Sequence, residues 1–241
     1  MIRRKGMFIL VLLVMVMQAF LINKFNLLHT RLPVLDGVPV VPSAGMEYRY
    51  LLNWYLPVIG ISFYFSGYLS QMMTVYGTPF FIRNYSKFRW VLKQYYSIAL
   101  SLLLFVVIQM LIGLVWEHSA GIQWMSALKM TFIYYLTLLV LISFQTFLDL
   151  FVQSELSVVL VNLYLVFSVL GFRWLSSLDE SINLTYLLIP NYGMGFKNGL
   201  SKVTEFQTDY IPFLNGSYVL ILILILVILG SVMKINKKEL I

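Results

Sequence analysis

Six apolar runs constrain this chain more than anything else in it: Met7–Ile22, Leu51–Leu69, Tyr95–Val115, Met130–Leu148, Leu156–Leu175 and Phe213–Met233. Each is close to the roughly 17–25 residues with which a helix crosses about 30 Å of hydrocarbon. The expected fold class is therefore all-α: a polytopic membrane protein of six transmembrane helices, forming one domain over residues 1–241. Composition points the same way. Hydrophobic side chains make up 60% of the 241 residues and charged ones 11%, with a mean hydropathy of +0.86, against about 45–50% and about 25% in soluble domains. Such a chain has too little polar surface to cover itself in water, which makes lipid its solvent. No stretch between the runs reads as a soluble domain, so any chemistry lies in the bundle, in the loops or on a partner.

The first run follows Arg3-Arg4-Lys5, as in a secretory signal, but Gln18-Ala19-Phe20 is a poor cleavage site and large residues continue to Ile22. It reads as an uncleaved signal anchor. Lys and Arg then orient the chain. With both ends inside, the inner face gathers Arg3, Arg4, Lys5, Arg83, Lys87, Arg89, Lys93, Lys234, Lys237 and Lys238, opposed by Asp149, Glu155 and Glu239. The basic and acidic residues of the outer segments, among them Asp36 and Lys197, balance one another. The expectation is N-in/C-in, with both ends in the cytoplasm. The net charge of +7 is thus accounted for by topology, and nucleic acid is not an expected partner.

Tyr76–Lys93, between the second and third runs, is the most informative inner segment. Gly77 allows a sharp turn, Thr78 can cap a helix and Pro79 suits a first helical position. Projected at about 100° per residue, Phe80, Phe81, Tyr85, Phe88, Val91 and Leu92 fall on one arc, with Asn84 among them. Arg83, Ser86, Lys87, Arg89 and Lys93 fall opposite, with Ile82 and Trp90 as exceptions. The pattern predicts a basic amphipathic helix along the inner surface, serving either as an anchor on anionic lipid or as a docking surface for a cytoplasmic partner. On the outer side, Ser176–Pro212 is the longest connection. Its Leu187, Leu188, Ile189, Tyr192, Met194 and Phe196 are apolar enough to lie at the membrane interface or dip into it.

Within the second run Ser62, Ser66 and Ser70 recur every fourth residue beside Gly60 and Gly67. Small residues at that spacing let helices approach closely, so these five positions are expected to pack helices, within the subunit or across a dimer. Asn53, Gln109, Gln145 and Asn162 are expected to hydrogen-bond across helices. No Asp, Glu, Lys or His occupies the middle of a run, which weighs against ion-coupled transport. The two histidines, His29 and His118, lie in separate outer loops, and cysteine is absent. No metal site, catalytic constellation or phosphate-binding G-x-x-x-x-G-K-[ST] motif can be assembled, so the chain is not expected to be an enzyme.

This arrangement of both ends inside, a horizontal helix after the second span and a long apolar segment before the sixth resembles the type-2 ABC exporter permeases. Within that group it resembles the small bacterial subunits associated with export of, or immunity to, antimicrobial peptides. The family commonly shows an acidic residue, Gly-Thr, a hydrophobic stretch and then a basic residue entering span three. Here Gly77-Thr78 precedes Pro79-Phe80-Phe81-Ile82-Arg83, with Lys93 ahead of Tyr95, while Val75-Tyr76 stands where the acid would be. The resemblance implies that Tyr76, Gly77, Thr78, Phe81, Arg83, Tyr85, Lys87 and Arg89 form a coupling segment seated on a cytoplasmic ABC ATPase. It also implies a second permease copy or paralogue in the lipid, with ATP and magnesium on the ATPase rather than on this chain. Amphipathic peptides or lipid-like molecules would be the cargo. Two alternatives differ in class: a non-transporting scaffold, sensor or immunity protein, and an intramembrane enzyme.

Overall fold

The computed structural model describes residues 2–25, 33–40, 44–74, 86–116, 124–176, 184–201 and 211–237. Among these residues the chain is helical and contains no strand. The long helices are α1 (Ile2–Lys24), α3 (Ala44–Tyr64), α5 (Lys87–Trp116), α6 (Trp124–Leu148), α7 (Ser154–Ser176) and α9 (Phe213–Lys237). Short helices α2 (Pro33–Asp36), α4 (Tyr68–Met72) and α8 (Gly195–Asn198) lie between them, with 3-10 turns at Leu184–Leu187 and Ile189–Gly193. Five helices, α1, α5, α6, α7 and α9, are long and apolar enough to cross a membrane.

Helix α6 forms the axis of the bundle. Leu136 through Ser143 are buried without interruption, so this helix is enclosed on every side, as a helix apolar all round should be. Helices α3, α5, α7 and α9 all pack on it, and α1 packs on α3 and α5. The directions alternate as apolar crossings require. Gln18 of α1 meets Asn53 of α3, and Gly60 faces Val11 and Val14. Farther along, Ser62 meets Gln145, Gly67 meets Asp149 and Lys87 meets the end of α9. The start of α1 and the end of α9 therefore lie at the same end of the bundle.

The second apolar run does not form one continuous helix. Helix α3 stops at Tyr64, residues 65–67 turn, and α4 begins at Tyr68. Gly67 adopts a left-handed φ of 65°, a conformation that side chains with a Cβ resist. Its N–H is freed from the helical ladder and donates to Asp149 Oδ2 at 3.0 Å. A second local exception lies higher in α3. Pro57 has no N–H, so the Asn53 carbonyl loses its partner within the helix. Gln18 Nε2 of α1 donates to that oxygen at 3.0 Å instead.

The basic segment also departs from expectation. Lys87, Arg89 and Lys93 belong to the first two turns of α5, continuous with the third span, rather than to a separate surface helix. Trp90, an exception on the polar arc, is buried together with Val91, while Phe88 and Leu92 are exposed. Packing against the bundle thus decides the inward face, and periodicity along the segment does not. Tyr76, Gly77, Thr78, Phe81, Arg83 and Tyr85 lie outside the described residues.

Candidate functional site

Three polar regions are built into the apolar bundle, and each begins from a backbone or side-chain group that lipid could not satisfy. The first is at the inner end. Asp149, in the short turn between α6 and α7, accepts from the Gly67 N–H and from Ser157 Oγ of α7. It is buried at 6% exposure. Desolvation pushes its carboxyl up to about 6, opposed by these two hydrogen bonds and helped by the neighbouring charge of Glu155. Asp149 is therefore not a solvated inner charge. It ties the break in α3 to the start of α7, where an acidic group also meets the favourable end of the helix dipole.

Close by, the start of α5 joins the end of α9. Lys87 Nζ donates to the carbonyls of Ile235 and Asn236 at 3.5 and 3.4 Å, oxygens left over at a helix C-terminus. Lys234 Nζ stands 4.2 Å from the ring centre of Phe151, and Tyr95 Oη and Ser231 Oγ share a 2.7 Å hydrogen bond. Lys87 is thus engaged within the molecule, whereas Arg89 and Lys93 are exposed beside it.

The second region crosses the middle of the bundle. Ser62 Oγ donates to Gln145 Oε1 at 2.5 Å, Gln145 Nε2 donates to the Ser62 carbonyl at 2.8 Å, and Asn162 Nδ2 donates to Ser62 Oγ at 2.8 Å. Three helices are joined at one hydroxyl. A parallel set links Gln109 Nε2 to Gln18 Oε1 at 2.9 Å and Tyr134 Oη to Gln109 Oε1 at 3.2 Å. Gln109, Gln145 and Asn162 bond across helices as expected, whereas for Asn53 the backbone carbonyl is engaged by Gln18 and the side-chain oxygen is left without a partner. The sequence reading gave Gln18 no bonding role, although its place after eleven apolar residues was a usable signal.

The serine series does not act as one packing stripe, because the break at 65–67 takes its members off a common helix. Ser62 is a network hub, Ser66 lies in the turn, and Ser70 Oγ donates to the Gly67 carbonyl at 3.2 Å. Gly60 does face α1, but a Cβ there would stand 3.8 Å from Val14, an ordinary contact. Gly67 is needed for its backbone conformation.

The third region is the outer segment 184–201, which folds back into the bundle. A Cβ on Gly193 would come within 3.1 Å of Thr137, thirteen residues below the start of α6, or about 20 Å at 1.5 Å per residue. Non-helical backbone at such depth needs partners from the protein, and α7 supplies them. Tyr164 Oη donates to the Leu187 carbonyl at 2.7 Å and accepts from the Ile189 N–H at 3.0 Å. Asn191 Nδ2 donates to the Ser168 carbonyl at 3.0 Å. Tyr192, Met194 and Phe196 of this segment are buried, whereas Leu187 stays exposed and Leu188 and Ile189 are half-buried.

Two charges travel in with the outer segments. Lys197 is 1% exposed, with Nζ donating to Asn191 Oδ1 at 2.7 Å and standing 4.3 Å from the Phe172 ring centre. Asp36 is 4% exposed and faces Gly195, where a Cβ would lie 2.9 Å from its Oδ1. The sequence had placed both only among the balancing charges of the outer segments. No cluster of His, Cys, Asp and Glu able to hold a metal occurs among the described residues.

The structure thus defines an all-helical protein of the membrane-spanning type, with polar groups joined inside the bundle and cations exposed at one end. The chain belongs to the family described as Protein of unknown function (DUF2705), whose model matches residues 11–241. It is 34% identical over 244 residues to "Uncharacterized protein YybK" of Bacillus subtilis (strain 168), covering 98% of this chain and 96% of that one. No solved structure matches it.

Proposed function

We propose that this chain is the membrane subunit of an ATP-driven exporter, a permease that works with a separate cytoplasmic ABC ATPase and a second permease. It would carry amphipathic peptides or lipid-like molecules across a bacterial cytoplasmic membrane. The observation that carries this reading is the exposed pair Arg89 and Lys93 at the head of α5, directly after the Gly77-Thr78 segment. Cations displayed there, next to an Asp149 anchor that ties the preceding turn to α6 and α7, suit a lever by which a motor protein would move the bundle. The groups joined around Ser62 and Gln109 are neutral amides and hydroxyls, while Lys197 and Asp36 are buried charges brought in by the loop segments.

The test is affinity capture of the tagged chain coexpressed with its genomic neighbours, comparing wild type with Arg83→Glu/Arg89→Glu. Lys87 is left intact because it caps α9. An ATPase recovered with the wild type and lost with the double variant supports the exporter. No ATPase, or equal recovery from both, overturns it and favours the scaffold or immunity reading.

A further inference from the structure

Helix α3 carries three buried polar atoms for which the protein supplies no partner: Tyr50 Oη, Asn53 Oδ1 and Trp54 Nε1. Their side chains are 2%, 3% and 1% exposed. Spacings of three and four residues place them on one face of the helix. That face looks into the outer half of the bundle. Tyr50 meets the Phe196 ring edge-on at 6.3 Å, and Trp54 meets Tyr134 at 6.4 Å. The Asp36 carboxylate lies near enough to act on the Tyr50 hydroxyl. The wall opposite is the inward-folded segment 184–201, with Lys197 and Asn191 buried within it.

Leaving a buried donor or acceptor unmatched is costly, and three on one face would be a large burden for a protein of ordinary stability. Their chemistry specifies what is missing. Trp54 can only donate, Tyr50 can donate or accept, and Asn53 Oδ1 can only accept. A hydroxyl-type oxygen, with two lone pairs and a proton, answers all three. Its smallest and most abundant source is water, which commonly makes about three hydrogen bonds when buried.

We infer that Tyr50, Asn53 and Trp54 form an internal hydration site between α3 and the inward-folded outer segment, holding ordered water inside the outer half of the bundle. The site does not depend on the exporter reading: it would exist whether or not an ATPase binds.

The test uses the whole chain in lipid nanodiscs with 5-fluorotryptophan at all tryptophans. The fluorine signal of Trp54 is assigned by its disappearance in Trp54→Phe. Its resonance is compared in H2O and D2O, with the buried Trp90 as reference in the same sample. The expected result is a solvent isotope shift at Trp54 larger than that at Trp90 and reduced in Asn53→Leu. Should Asn53→Leu fail to fold, Tyr50→Phe serves in its place. A second reading uses the absence of cysteine: Asn53→Cys should react with a small water-soluble thiol reagent at least tenfold faster than Leu138→Cys in the apolar core. A Trp54 resonance indifferent to D2O, or equal thiol reactivities, would overturn the site. A Trp54 shift that vanishes when lipid is exchanged for detergent would assign the oxygen to a lipid hydroxyl and overturn the assignment to water.

Discussion

Replacing Asp149 by Asn should remove a pH dependence of stability that the wild type carries. Burial raises the Asp149 carboxyl from 3.8 to about 6, so the folded protein holds this proton more tightly than the unfolded chain does. The resulting stabilisation is complete below the unfolded value of 3.8 and is lost as pH rises through about 6. A displacement of roughly 2 units corresponds to about 3 kcal/mol at 1.36 kcal/mol per unit. Solvent screening at the bundle's end lowers that figure, so about 1–3 kcal/mol is expected. Asn keeps an oxygen to accept from Gly67 N–H and does not titrate in this range. Unfolding in detergent, followed by intrinsic tryptophan fluorescence at about pH 4.5 and about pH 7.5, gives the comparison. Wild type should lose stability relative to Asp149→Asn as pH rises, while Asp149→Ala should be less stable than Asp149→Asn at both values. Parallel wild-type and Asn curves would refute the buried-carboxylate reasoning. An Ala variant equal to Asn would refute the role given to the Gly67 and Ser157 hydrogen bonds.

Two further outcomes follow from the packing. Ser62→Ala and Gln145→Leu, combined in a double-mutant cycle of unfolding free energies, should show a coupling of about 0.6–1.7 kcal/mol, the range known for hydrogen bonds between membrane helices; additive effects would dissolve the pair. Gly195→Ala should destabilise by about 1–3 kcal/mol, because its Cβ would meet Met130 and stand 3.2 Å from the Asp36 Cα, whereas Gly60→Ala should be neutral or slightly stabilising; equal melting temperatures would contradict the close approach at Gly195.

The apolar runs determined the helical class and the existence of five long apolar helices, because in lipid the backbone must satisfy itself and about twenty apolar residues suffice to say so; they did not fix the starts at Lys87 and Trp124, several residues ahead of the apolar runs. They also determined that polar amides such as Gln109, Gln145 and Asn162 would seek partners, since the surrounding side chains offer none. What they could not determine was which partners. Ser62 became a hub, and Gln18 found the carbonyl freed by Pro57, only because particular helices lie side by side. The break at Gly67 was equally hidden, since Ser66 and Gly67 are common within membrane helices while the freed amide depends on Asp149 from a distant turn. The same holds for Asp36 and Lys197. A charge in a loop reads as solvated until tertiary structure folds the loop inward, and burial is a property of the assembled bundle that no local sequence window contains.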